Sequence, residues 1–144
     1  MKYEFSFQKV LDVKEKEKEV AKNEFGSSKR RQMELEEKLE GLEVKKEKVY
    51  NQYNDVNRKT VWEFLEVQQE LDHFNLQVKQ LTHQSKQLHQ EVELKHEVLI
   101  AKTKEAKVWN LWKDKSKNAF QMEQARKEQA MLDEMAVLRY SRRV

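Results

Sequence analysis

The sequence predicts an all-α protein, a long antiparallel two-helix coiled-coil hairpin with its apex near residues 57–61. Three observations lead there. The 144 residues include two glycines and no proline, too few turn formers for a sheet or a multi-layered globule, while 38% are charged and 38% hydrophobic. Two stretches place apolar residues at alternating steps of four and three, the spacing of a heptad seam. A helix-start signal lies between them. The net charge of only +3, together with this periodicity, sets the chain apart from a disordered segment of similar charge content.

The first helix is expected over about residues 4–57. Its seam reads Leu35, Leu39, Leu42, Lys46, Val49, Tyr53 and Val56, with lysine the single polar member. So narrow a stripe is buried only against another helix. Continued backward, the same spacing meets Gln32, Ser28, Phe25, Ala21, Lys18, Lys14, Leu11 and Phe7, half of them polar, so the seam is expected to fray toward the amino terminus. The "GSS" at 26–28 loosens this arm further. In "KEKEKE", residues 14–19, opposite charges meet at i,i+3 but like charges meet at i,i+4. Local ion pairing therefore adds little net helix support.

The second helix is expected over about residues 61–140. Thr60 and Glu63 stand three apart, as in a capping box, where the hydroxyl accepts from the Glu amide and the carboxylate reaches back. The seam that follows is Phe64, Val67, Leu71, Phe74, Val78, Leu81, Ser85, Leu88 and Val92, polar only at Ser85. It continues as Lys95, Leu99, Lys102, Ala106, Trp109, Lys113, Ser116, Phe120 and Glu123. One unbroken helix dimerising in trans is the alternative; the hairpin is preferred because it joins two apolar seams at small loop-closure cost. An apex at residue 60 pairs positions whose numbers add to about 120, so Leu35 faces Ser85 and Phe7 faces Lys113. The last 25 or so residues then overhang without a partner. The chain reads as a single coiled-coil domain, 1–144, and as a monomer.

Charge is sorted along the chain. Residues 1–31 hold nine Lys or Arg against six Asp or Glu, and 98–127 hold eight against three, whereas 61–97 hold three against seven. The base is basic and the apex acidic. A basic end bearing Phe5, Phe7, Trp109, Trp112 and Phe120 suits an acidic protein cavity, nucleic acid or an anionic membrane. No glycine-rich phosphate loop is present, so ATP hydrolysis by the chain itself is not expected. The histidines, His73, His83, His89 and His96, are too far apart on a helix to share a metal, and no cysteine is present. A two-helix pair has no desolvated cleft for acid–base work. Neither an enzyme nor a cofactor is expected. The longest apolar run is "VLIA", 98–101, so no membrane span or signal peptide is expected, and the reading is cytosolic.

The opening "YEFSFQKVLDVKEKEKEVAKNEF" and the closing "ARKEQAMLDEMAVLRYSRR", with a weakly patterned hairpin between them, resemble the FliJ family of the bacterial flagellar protein export apparatus. The resemblance spans the whole chain and is strongest at its ends. It implies a stalk-like hairpin, similar to the central stalk of rotary ATP synthases and to the YscO-like proteins of type III secretion. It also implies that the base enters the ring of the export ATPase FliI, with Phe5, Phe7, Lys9, Leu11, Trp109, Trp112, Lys113, Lys117, Arg126, Asp133 and Glu134 facing the ring. By position, Glu70, Phe74, Gln77 and Leu81 would face the export gate protein FlhA, although Glu70 stands where an apolar residue is expected and Phe74 and Leu81 belong to the seam. Export chaperones and FliH complete the implied partners, at the cytoplasmic face of the flagellar base. Two other readings compete: a nucleic-acid-binding hairpin using Trp109 and Trp112 amid Lys107, Lys113, Lys115 and Lys117, and a plain structural spacer. The first requires affinity that falls steeply with salt, the second no specific partner.

Overall fold

In a computed structural model, residues 2–54 and 61–143 are described. Helix α1 spans Gln8–Asn54 and helix α2 Val61–Arg143, and no strand occurs among the described residues. The two pack antiparallel against each other as the expected helical hairpin. Residues 57–60 of the expected apex, including Thr60 of the capping box, lie outside the described residues, as do Val56 and the side chain of Tyr53. Glu63 in the first turn of α2 and Arg142 and Arg143 in its last complement the helix dipole.

Helix α1 begins later than the expected residue 4. The Phe5 carbonyl accepts from the Gln8 amide at 3.1 Å and the Phe7 carbonyl from the Leu11 amide at 3.0 Å, so a turn at Ser6 and Phe7 leads into the helix. Residues 2–5 precede it without helical structure, and Phe5 is thereby free to pack sideways on α2.

The contacts form two compact units, Val20–Ile100 and Met1–Glu19 with Ala101–Val144. Within Val20–Ile100, the α1 positions Ala21, Phe25, Ser28, Gln32, Leu35, Leu39, Leu42, Lys46 and Val49 are buried or half-buried. So are Val67, Leu71, Phe74, Val78, Leu81, Ser85, Leu88, Val92, Lys95 and Leu99 on α2. Phe64, at the start of that seam, is largely exposed. Lys95 reaches Glu24 at 3.0 Å, Arg31 reaches Glu91 at 3.4 Å, and Gln32 meets His89 at 3.0 Å, pairs whose numbers add to about 120. Burial does not follow leucine content. Ala21, Ser28 and Val92 are buried, whereas Leu35, Leu39 and Leu42 are only half-buried. Two facing leucines hold a helix pair apart and leave its flanks open to water, while small residues let the backbones close.

Ser28 is fully buried and satisfied: its hydroxyl donates to Glu91 Oε1 at 3.5 Å and accepts from Arg31 Nη2 at 3.4 Å. The helix runs unbroken through "GSS" because this serine is held by α2 instead of bonding its own backbone.

In the other unit, Phe5, Leu11 and Ala106 are buried. The expectation of a frayed base is corrected in part here, since two lysines at the seam, Lys14 and Lys102, are bridged across it. Lys14 bonds Glu105 at 3.2 Å and Lys102 bonds Glu17 at 3.2 Å, with longer contacts of 3.7 Å from Lys14 to Glu17 and 3.9 Å from Lys102 to Glu105. The alternating run that gains little along its own helix thus pairs with the other one. Beyond Phe120 only Gln124 is half-buried, and every described residue from Ala125 to Arg143 is exposed, as the expected overhang requires.

Candidate functional site

The non-helical lead-in carries Tyr3, Phe5 and Phe7 at alternate positions, and α2 carries Trp109, Trp112 and Phe120. Four of these rings, Phe5, Phe7, Trp109 and Trp112, form one cluster, and Tyr3 and Phe120 form a pair beside it. Phe7 lies 5.0 Å from Trp112 and 6.0 Å from Trp109, Phe5 meets Trp112 edge-on at 6.2 Å, and the two tryptophans are 5.1 Å apart. Tyr3 packs on Phe120 at 5.4 Å while its hydroxyl donates to the Lys113 carbonyl at 3.4 Å. Such tilted and edge-on arrangements are favourable for aromatic pairs. Burial within the cluster is uneven: Phe5 is 9% exposed, but Phe7 is 42% and Trp112 46%. Phe5 and Leu11 form the floor; Phe7 and Trp112 present a ring pair to solvent.

Of the residues expected to face the ATPase ring, the structure brings together Phe5, Phe7, Leu11, Trp109 and Trp112, with Lys113 half-buried beside them and Lys9 and Lys117 exposed nearby along their helices. Arg126, Asp133 and Glu134 lie on the exposed overhang, where Asp133 accepts from Gln129 at 3.0 Å. Tyr3 was not among the expected site residues. Its signal was the alternation of rings at 3, 5 and 7, which shares a face in extended but not in helical backbone.

Next to the cluster, the four-charge ladder shifts two groups. A hydrogen bond and charge from Glu105 hold the Lys14 ammonium above its usual value, with Glu17 adding to it. The Lys102 hydrogen bond holds the Glu17 carboxyl below its usual value against partial desolvation. On the other flank of this unit Asn110 Nδ2 donates to Glu15 Oε1 at 2.6 Å.

The residues expected to face the export gate are separated by burial. Glu70 is exposed and Phe74 half-buried in the seam, whereas Gln77 and Leu81 line a shallow groove of about 460 Å³ with Lys38, Gly41 and Leu42. The groove exists partly because Gly41 has no side chain to fill it; nothing lies within 4 Å of where its Cβ would stand. Among the described residues no group of three His, Cys, Asp or Glu could hold a metal, and no helix is long and apolar enough to cross a membrane.

Comparison with curated proteins and with solved structures gives no match. The family model described as "Flagellar FliJ protein" matches residues 2–144. That span contains the aromatic lead-in, both seams and the overhang, so the antiparallel helix pair and its ring cluster are features of a chain that belongs to the flagellar FliJ family.

Proposed function

We propose that this chain works as one coiled-coil domain, without chemistry of its own, as a stalk-like coupling protein of flagellar export: its aromatic end docks in the ring of the export ATPase FliI. Family membership supplies the coarser fact, a component of the flagellar export apparatus. The observation that supports the finer reading is the half-exposed pair Phe7 and Trp112, stacked at 5.0 Å over a buried floor. Exposed rings on a preformed base bury apolar area at small ordering cost, and the lysines around them steer toward an acidic cavity. The overhang of α2 extends the same end of the chain with Arg126, Asp133 and Glu134 available to the ring. In this reading the groove at Gln77 and Leu81 meets the gate protein FlhA, and export chaperones and FliH share the assembly at the cytoplasmic face of the flagellar base.

The test is binding and turnover of the cognate export ATPase. The chain alone hydrolyses no ATP, associates with the ATPase and raises its turnover. Unchanged turnover over a wide range of added protein, with no association, rejects the coupling role. A steep loss of affinity for single-stranded nucleic acid with added salt would favour the nucleic-acid reading instead.

A further inference from the structure

Within the unit formed by residues 1–19 and 101–144, the two flanks of the helix pair differ in character. On α1, Val10, Val13 and Glu17 follow at steps of three and four; on α2, Ala101, Glu105, Val108 and Trp112 follow at four, three and four. Each set therefore lies on one helix face. Glu17 and Glu105 stand on the same flank, because Lys14 touches both, at 3.7 and 3.2 Å, and Lys102 touches both, at 3.2 and 3.9 Å. The two faces are one surface. The opposite flank, marked by the Asn110 to Glu15 bond, carries Gln8, Asp12, Asp114 and Lys117 at the corresponding steps and is polar throughout.

Val13 is 53% exposed, Val108 62% and Val10 37%, at positions where a solvated helix face normally carries polar residues. Exposed Lys9, Lys16 and Lys104 border the rows and Lys115 extends one of them. The two carboxylates on this surface are already shared between Lys14 and Lys102, so the charge left to meet a partner is positive.

We propose that this flank seats a third helix, supplied by a partner protein, whose apolar stripe is bordered by acidic residues. Val10 and Val13 on α1, with Val108 and Trp112 on α2, form an apolar strip along which an amphipathic helix can lay its i, i+3, i+4 anchors. A second copy of this chain fits poorly: its own flank would set lysine against lysine, and its overhang bears Arg126, Lys127, Arg139, Arg142 and Arg143 against four acidic residues. This seat goes beyond the coupling role although it shares Trp112 and Lys9 with the docking end, and because it is tested without the ATPase its failure and that of the coupling role are told apart.

The chain has no cysteine, so Val13→Cys and, on the polar flank, Asp12→Cys each accept a single environment-sensitive bimane label. The probes are a synthetic three-heptad helix with leucine anchors and glutamate borders, the same helix with lysine borders, vesicles of phosphatidylcholine with phosphatidylglycerol, and the labelled protein alone over a concentration series. The Val13 label shifts to the blue and saturates with the glutamate-bordered helix, at least about tenfold more tightly than with the lysine-bordered one. The Asp12 label stays unmoved. Val108→Asp in the Val13-labelled protein weakens binding at least about tenfold while helical content by circular dichroism is kept, because Val108 is exposed. No response, equal binding of the two helices, an equal shift at the Asp12 label, a shift with vesicles in place of the helix, or a shift with protein concentration alone each overturns the proposal.

Discussion

Phe5 and Phe7 stand two residues apart and have different tasks. Phe5 lies under Trp112 and is nearly closed from water, so Phe5→Ala is expected to cost on the order of 3 kcal/mol in urea melts, the loss of a buried aromatic. Phe7→Ala costs less in the melt, about 1 kcal/mol for a half-exposed ring, but weakens ATPase binding by at least about tenfold, roughly 1.4 kcal/mol. Titration calorimetry on both variants separates the two; equal stability losses would place Phe7 in the fold and leave the docking reading without its ring pair. Lys14 and Glu17 make the second residue-scale prediction. Lys14 is raised by Glu105, so its contribution is present below the ordinary lysine range and is lost as pH rises through its folded value. Glu17 is lowered by Lys102, so its contribution is present above the ordinary carboxylate range and is lost as pH falls through its folded value. Both groups therefore support the pairing through neutral pH. Replacing Glu17 by Gln should flatten the acid limb of the melting temperature relative to wild type and, because Glu17 adds to the raised Lys14 value, soften the alkaline limb to a smaller extent; an unchanged acid limb would show that the ladder is an exposed contact without consequence.

Helix α1 owes its continuity to α2 more than to its own residues. Gly26 and Gly41 sit in helical backbone with open space around them, so Gly26→Ala and Gly41→Ala should each stabilise the protein by roughly 0.5–1 kcal/mol in urea melts. A loss of stability in either would reveal a contact that the packing does not show. On α2, Leu71 and Val78 are half-buried, so truncation to Ala should fall near the low end of core substitutions, about 1–2 kcal/mol. The seams themselves were legible because heptad spacing survives the polar interruptions: Gln32, Ser28, Lys18 and Lys14 take the positions that spacing assigns, and so do Lys95, Lys102 and Lys113. Depth of burial was not legible. Spacing says which side of a helix faces its partner, but closeness depends on side-chain size on both helices at once, which is why Ala21, Ser28 and Ala106 are buried and Leu35, Leu39 and Leu42 only half-buried. Much of the ring cluster could be read from register, with Phe7 near position 113. Tyr3 could not, because its place depends on the helix starting at Gln8.

At the scale of the whole chain, the pairing rule makes a distance prediction. Spin labels at Leu35 and Ser85, both within Val20–Ile100, should lie about 10 Å apart, the width of a helix pair. A long distance in a fully helical sample would establish the unbroken helix in trans. The bare carboxyl-terminal length of α2 has a further, practical meaning. From Ala125 to Arg143 its cleavage sites for trypsin, Arg126, Lys127, Arg139, Arg142 and Arg143, are exposed among the described residues. Any slowing of digestion there reports a partner, uncontaminated by the stability of the hairpin, while sites such as Lys14 and Lys102 report the hairpin itself. The molecule thus carries its own footprinting scale, with docking and unfolding written at different residues of one peptide map.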